Sequence, residues 1–132
     1  MTSPPALPPA PATGRSLVVK LTVGAEALER LAQGLTVATT ALAGGIPTRV
    51  WLTGEATWLA TPGHAETLQL PYAASFAELR DLLLAADALT VCTQCAARRE
   101  LTEADLLPGA RIAGAAGFVE QALAPGAQAL VY

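Results

Sequence analysis

Short, continuously apolar runs alternate along the chain with longer stretches whose apolar positions recur every three or four residues. Residues 16–23 (SLVVKLTV) are apolar and largely β-branched apart from Lys20, the pattern of a strand covered on both faces in a parallel sheet. Gly24 turns the chain. Residues 25–43 then carry Leu28, Leu31, Ala32, Leu35, Ala38, Thr39 and Leu42 at helical spacing, with Glu26 and Glu29 in the first turns and Gly44-Gly45 as the stop. Residues 46–53 (IPTRVWLT) read as a second strand with Gly54 as its exit turn, so the opening is a βαβ unit for which a right-handed crossover is expected. A short helix is expected over 55–60. Residues 61–75, with Pro62-Gly63 and Pro71-Tyr72, read as a long loop of the kind that often covers a site. Residues 76–86 (FAELRDLLLAA) predict a helix with Phe76, Leu79, Leu82 and Leu83 inward. Residues 88–91 are a central strand, and 101–107 a short helix capped by Thr102 and stopped by Pro108-Gly109. Residues 111–113 are a short strand or a helix entry, 114–123 a helix, and 127–132 (AQALVY) the closing strand. The alternation predicts a three-layer α/β/α sandwich around a mostly parallel sheet of four or five strands.

Composition sharpens this picture. A chain of 132 residues suits one domain. Residues 1–15 (MTSPPALPPAPATGR) have no apolar period and are expected to be a disordered Pro-rich tail, leaving 16–132 as the α/β domain. Charged residues make up only 14% against 52% hydrophobic, which leaves a surface short of polar cover and points to burial against copies of the same chain. The competing explanation is that alanine inflates the apolar figure without making sticky patches. A net charge of −3 argues against nucleic acid as the main partner. The Met1 end lacks the basic and apolar regions of a signal peptide, and no apolar run approaches the ~18 residues of a membrane span. The expectation is a cytoplasmic protein, with neither a membrane nor nucleic acid among its partners.

Cys92 and Cys95 are the only cysteines and stand at Cys-x-x-Cys spacing within VCTQCAARRE, residues 91–100. In a reducing compartment such a pair is more often catalytic, redox-active or metal-binding than a structural disulfide. Zinc needs four ligands, and His64 is the only histidine, so no metal and no cofactor is predicted. A thioredoxin-type oxidoreductase would place the pair after the first strand rather than a late one. Two readings remain beside these: a thiol that carries sulfur as a persulfide, and two inert core cysteines, against which the polar Thr93 and Gln94 argue. A thiol at a strand's end, facing the N–H groups of the next helix, is favoured as thiolate. Arg98 and Arg99 supply a positive field for an anionic sulfur, or simply cap a short helix and face water. His64 is a candidate general base for Cys92, or a solvated loop histidine. Trp51 and Trp58 wall a pocket, or pack in the core. Gly24 and Gly54 end the first two strands on the same edge as Cys92 and are candidate binding positions, although turn geometry alone would explain them. Neither a Walker loop nor a Rossmann fingerprint is present.

At 91–99 (VCTQCAARR) the sequence resembles the DsrE/DsrF family of small sulfur-relay proteins, with its TusD-like and YchN-like branches. The order hydrophobic strand, cysteine, alanine-rich turn and basic residues carries the resemblance. It extends to the opening βα unit, to WLTGEA at 51–56, to DLLPGARIA at 105–113 and to the closing strand. By that spacing Cys92 falls on the persulfide-carrying cysteine, and Cys95 looks like the second cysteine of the YchN-like branch. The resemblance implies a sulfur carrier or sulfurtransferase, trimeric or hexameric, whose partners are sulfur donor and acceptor proteins or small thiols. Two departures stand out. Glu100 occupies the place where the family usually has Gly and brings a negative charge near the thiol. The chain also carries no second relay domain. The alternatives kept open are a non-catalytic oligomeric ligand-binding module and a Cys92/Cys95 dithiol redox sensor.

Overall fold

The computed structural model describes residues 14–132, so the expected tail lies, through residue 13, outside the described residues. Five strands form one all-parallel sheet in the order β4-β3-β2-β1-β5. They are β1 (Ser16–Leu21), β2 (Thr48–Leu52), β3 (Leu89–Cys92), β4 (Arg111–Ala113) and β5 (Ala127–Val131). The helices are α1 (Leu28–Ala43), α2 (Phe76–Ala85), α3 (Thr93–Arg98) and α4 (Ala115–Ala122), with short 3-10 turns at Ala25–Ala27, Gly54–Ala60, Ala65–Thr67 and Glu103–Asp105. The expected α/β sandwich is thus observed with five strands, and residues 111–113 are a strand rather than only a helix entry.

Register decides which side chains meet. Leu21, Leu52, Val91 and Ile112 lie in one row across four strands, above a row of Val19, Val50 and Leu89. In a parallel sheet such rows share a face. This face packs against Leu31, Leu35 and Ala38 of α1 and Phe76, Leu79 and Leu83 of α2, and the result is the main core. The intervening row, Lys20, Trp51, Thr90 and Arg111, points to the opposite face. There α4 lies over Trp51, close enough that a side-chain carbon on Gly117 would come within 3.3 Å of the indole.

Local signals explain the helix ends. Ser75 caps α2 by accepting the Glu78 amide at 3.2 Å, and Thr102 with Asp105 forms a capping box at Glu103–Asp105, as the sequence leads one to expect of Thr102. One expectation is corrected: Leu82 does not face inward but is 54% exposed, while Arg80 is 4% exposed. Phe76, Leu79, Arg80 and Leu83 make the i, i+3, i+4, i+7 stripe, and at 3.6 residues per turn Leu82 lies ~110° off its centre. Leu82 looks like a core residue by composition and is excluded by helical phase.

Arg80 is tolerated in the core because each of its three guanidinium nitrogens donates to a carboxylate. It donates to both Glu66 carboxylate oxygens at 2.7 and 3.0 Å, and to Asp81 at 3.0 Å. Glu66 belongs to the Ala65–Thr67 turn, so this bidentate pair ties the 61–75 segment to α2. The Arg80 hydrogen bonds hold the Glu66 carboxyl at about 2, well below the ordinary 4.5. A carboxyl depressed in the folded state adds stability that is present above the unfolded value and fades as pH falls through the folded one. Acid unfolding curves therefore contain a component between about pH 4.5 and 2 that disappears in Glu66→Gln. Identical pH dependence of melting in the two proteins would show that the pair adds nothing.

Candidate functional site

Strand β3 ends and helix α3 begins without a spacer, so Cys92 is the last residue of one and the N-cap of the other, at φ −64°, ψ 130°. An N-cap side chain lies beside the unpaired amides of the second and third helical residues. Here those residues are Gln94 and Cys95. The half-buried Cys92 sulfur makes no formed capping bond, yet it sits in the field of both amides. Burial is the largest single influence and pushes the thiol up. The amides of Cys95 and Gln94, the Cys95 thiol and the Lys20 charge together outweigh it, so the Cys92 pKa lies below the ordinary thiol value.

Cys95 is buried one turn on. Its sulfur receives the Gly54 N–H at 3.2 Å, and Arg98 Nη1 lies 4.0 Å away. Gly54 is held at φ +52°, and a side chain there would meet the Thr22 carbonyl oxygen at 2.7 Å, so this position requires glycine. Gly24 packs against the Glu55 backbone, where a side-chain carbon would come within 2.7 Å of its carbonyl oxygen, one step removed from the thiols. The loops after β1 and β2 thus interlock, and only Gly54 touches sulfur.

The two arginines separate. Arg99 donates to Glu55 Oε2 through Nε at 3.2 Å and Nη2 at 2.9 Å, and to the Cys95 carbonyl through Nη1 at 3.1 Å. It braces α3 against the Gly54–Ala60 turn and closes the helix C-terminus. Glu55 also accepts the half-buried Trp58 indole N–H at 3.1 Å, and its pKa is lowered by the Arg99 bonds first and the Trp58 bond second. Arg98 is exposed and turns to the sulfur side. His64 is not brought to the thiols: no hydrogen bond joins its ring to either, and its charge is felt at Glu55. Trp51 is a packing residue, 1% exposed, bonded through Nε1 to Gln121 at 2.8 Å. Sequence reasoning did not connect Glu55 with Arg99, 44 residues apart, and it passed over Phe118 and Gln121, which carry no motif.

Glu100 adopts φ +56° after α3. Glu100 N–H bonds to Ala97 O at 3.0 Å and Leu101 N–H to Ala96 O at 2.9 Å, the paired bonds of a Schellman ending whose left-handed residue is usually glycine. The turn is therefore kept despite Glu100, and its exposed carboxylate is not among the groups acting on Cys92. Among the described residues no group of three or more His, Cys, Asp or Glu side chains is arranged to hold a metal ion. No helix is long and apolar enough to cross a membrane among the same residues. A cleft of about 780 Å³ between α1 and the 70–74 segment is lined by Tyr72 and Tyr132 and touches neither cysteine.

A model of the DsrE/DsrF-like family matches residues 16–131. The fold is also that of the Escherichia coli YchN crystal structure, at a TM-score of 0.72 and 16% identity, covering 89% of this chain and 99% of that one. A second solved structure, the Methanobacterium thermoautotrophicum protein of unknown function MTH1491, overlays at a TM-score of 0.56 with 12% identity and the same coverages. No curated protein sequence matches the chain.

Two measurements test this geometry. Iodoacetamide modifies Cys92 in the native chain with a pH midpoint below that of free cysteine, and modifies the buried Cys95 more slowly; equal rates at both sulfurs would contradict the arrangement. Glu100→Gly relieves a left-handed glutamate and raises stability by about 1 kcal/mol, read as a higher melting temperature; a lower one would refute the turn geometry.

Proposed function

The chain belongs to the DsrE/DsrF-like family, and on that premise we propose that it is a sulfur carrier, or sulfurtransferase-like protein, holding sulfane sulfur as a persulfide on Cys92. The observation that supports this most is the Cys92 sulfur, half-buried at the head of α3 with its thiolate favoured by amides and a cation. In the step envisaged, the Cys92 thiolate attacks the outer sulfur of a donor persulfide, R–S–SH. The donor S–S bond breaks, RS⁻ leaves, and Cys92–S–SH forms. An acceptor thiolate then takes the outer sulfur by the same displacement and returns Cys92 as thiolate.

Cys95 offers a second exit. Its thiolate attacks the inner sulfur, hydrosulfide leaves, and a Cys92–Cys95 disulfide remains, so that two thiols are oxidised as the sulfane sulfur is reduced. The adjacency of the two thiols favours this, and it also supports a dithiol redox role as the second reading. Arg98, beside the sulfurs and without a carboxylate partner among the described residues, is the arginine suited to an anionic sulfur; Arg99, held by Glu55, positions the helix. Gly54 supplies an N–H to Cys95, and Gly24 lets the neighbouring loop approach.

The partners on this reading are cytoplasmic sulfur donors and acceptors, proteins or small thiols, and the carrier is a homo-oligomer, trimeric or hexameric. Self-association is supported by α4, which buries no residue, and by Val119, Leu123 and Val131 at 50%, 78% and 63% exposure. The deciding experiment is mass spectrometry after treatment with a sulfane-sulfur donor. The native chain and Cys95→Ser gain one sulfur, whereas Cys92→Ser does not; sulfur retained on Cys92→Ser would reject the assignment.

A further inference from the structure

Lys20 is the only lysine in the chain, and it is the one charged residue of β1. Its register partner is Trp51, whose own partner is Thr90. The Lys20 side chain therefore leaves the sheet on the face that Thr90 and, two residues on, Cys92 share. Two interstrand spacings of ~4.8 Å put the strands ~10 Å apart, within the combined reach of a four-carbon stem and a cysteine. An aromatic contact places the end of the stem. Its ammonium lies 4.2 Å from the centre of the Phe118 ring, Phe118 meets Trp51 edge-on at 5.7 Å, and Trp51 is anchored to Gln121. No carboxylate stands within 4.0 Å of this ammonium among the described residues. The ring offsets part of the desolvation of the charge without neutralising it, which leaves a half-buried cation open to an anion.

We propose that Lys20 is the positioning and selectivity cation of the thiol site, holding the Cys92 sulfur as an anion and biasing the site toward small anionic sulfane-sulfur donors over neutral ones. This rests on the reading of Cys92 as the reacting sulfur. The Lys20 charge lowers the Cys92 pKa together with the α3 amides. The other charged or titratable groups near Cys92 are Cys95 and Arg98 on α3, Arg99 tied to Glu55 of the Gly54–Ala60 turn, and Arg111 of β4 tied to Asp87. On α4, Glu120 is exposed. Of the arginines around the sulfur, two are thus neutralised by carboxylates.

The test compares modification of Cys92 by iodoacetate, an anion, and iodoacetamide, its neutral analogue, with the site read by peptide mass spectrometry. Lys20→Met lowers the iodoacetate-to-iodoacetamide rate ratio about threefold at low salt and raises the pH midpoint of both reactions, while Lys20→Arg retains the native ratio. The difference between native and Lys20→Met shrinks near 1 M salt. Because Lys20 is the single lysine, acetylating the folded native chain, with its thiols held as reversible mixed disulfides, removes the same charge without a change of sequence. Lys20→Arg given the same treatment controls for the terminal amine. A reactive Cys92 whose ratio is unchanged in Lys20→Met or after acetylation overturns this inference alone. A Cys92 inert to both reagents in the native chain overturns the carrier reading and this one with it.

Discussion

Everything at the candidate site depends on one junction. Cys92 closes the β3 ladder, opposite Ala113 of β4, and in the same residue opens α3. The strand fixes its backbone laterally, and the helix fixes the direction from which amide dipoles reach its sulfur. A spacer residue between strand and helix would let the sulfur turn away from the dipoles. A longer strand would carry it past the sheet edge. Backbone hydrogen bonding on both sides therefore fixes where the thiol stands, even though its sulfur forms no capping bond.

A short helix of this kind has little stability of its own, so its placement must come from outside. Three contacts supply it. Ala96 packs into the core, Arg99 spans Glu55 and the Cys95 carbonyl, and Gly54 donates its N–H to Cys95. The last two link α3 to the segment that follows β2. The second cysteine is thus structurally committed through its buried sulfur while the first stays accessible, an asymmetry that the symmetric Cys-x-x-Cys spacing does not show.

How much of this was legible in the sequence follows from what each feature depends on. The strands are readable because central segments such as 88–91 are buried on both faces and so carry apolar runs, and 16–23 keeps the run although its second face is only partly covered. The helix stops were readable because Gly44-Gly45 and Pro108-Gly109 act locally. Leu82 reads as a core residue by its type and lies outside by helical phase, and no local signal shows that Arg80 is buried, because its partner Glu66 comes from a separate turn. The pairing of Arg99 with Glu55 and the position of β5 beside β1 are long-range outcomes of packing. Lys20 was visible as an anomaly, but its relation to Cys92 exists only through the β1-β2-β3 register, which sequence periodicity does not determine.

The two faces of the sheet are built for different purposes. The α1/α2 side is filled by leucine, valine and phenylalanine and takes a charge only where it is paired, as Arg80 is with Glu66 and Asp81; an unpaired ammonium placed there would cost several kcal/mol. The opposite side has a row of Lys20, Trp51, Thr90 and Arg111 under a helix that buries none of its own residues. Only this thinner side leaves a cation partly hydrated and still near the sulfur, so alternation along β3 assigns the chemistry: Val91 points into the dense core, and the next residue, Cys92, points to the face where an anion can be met.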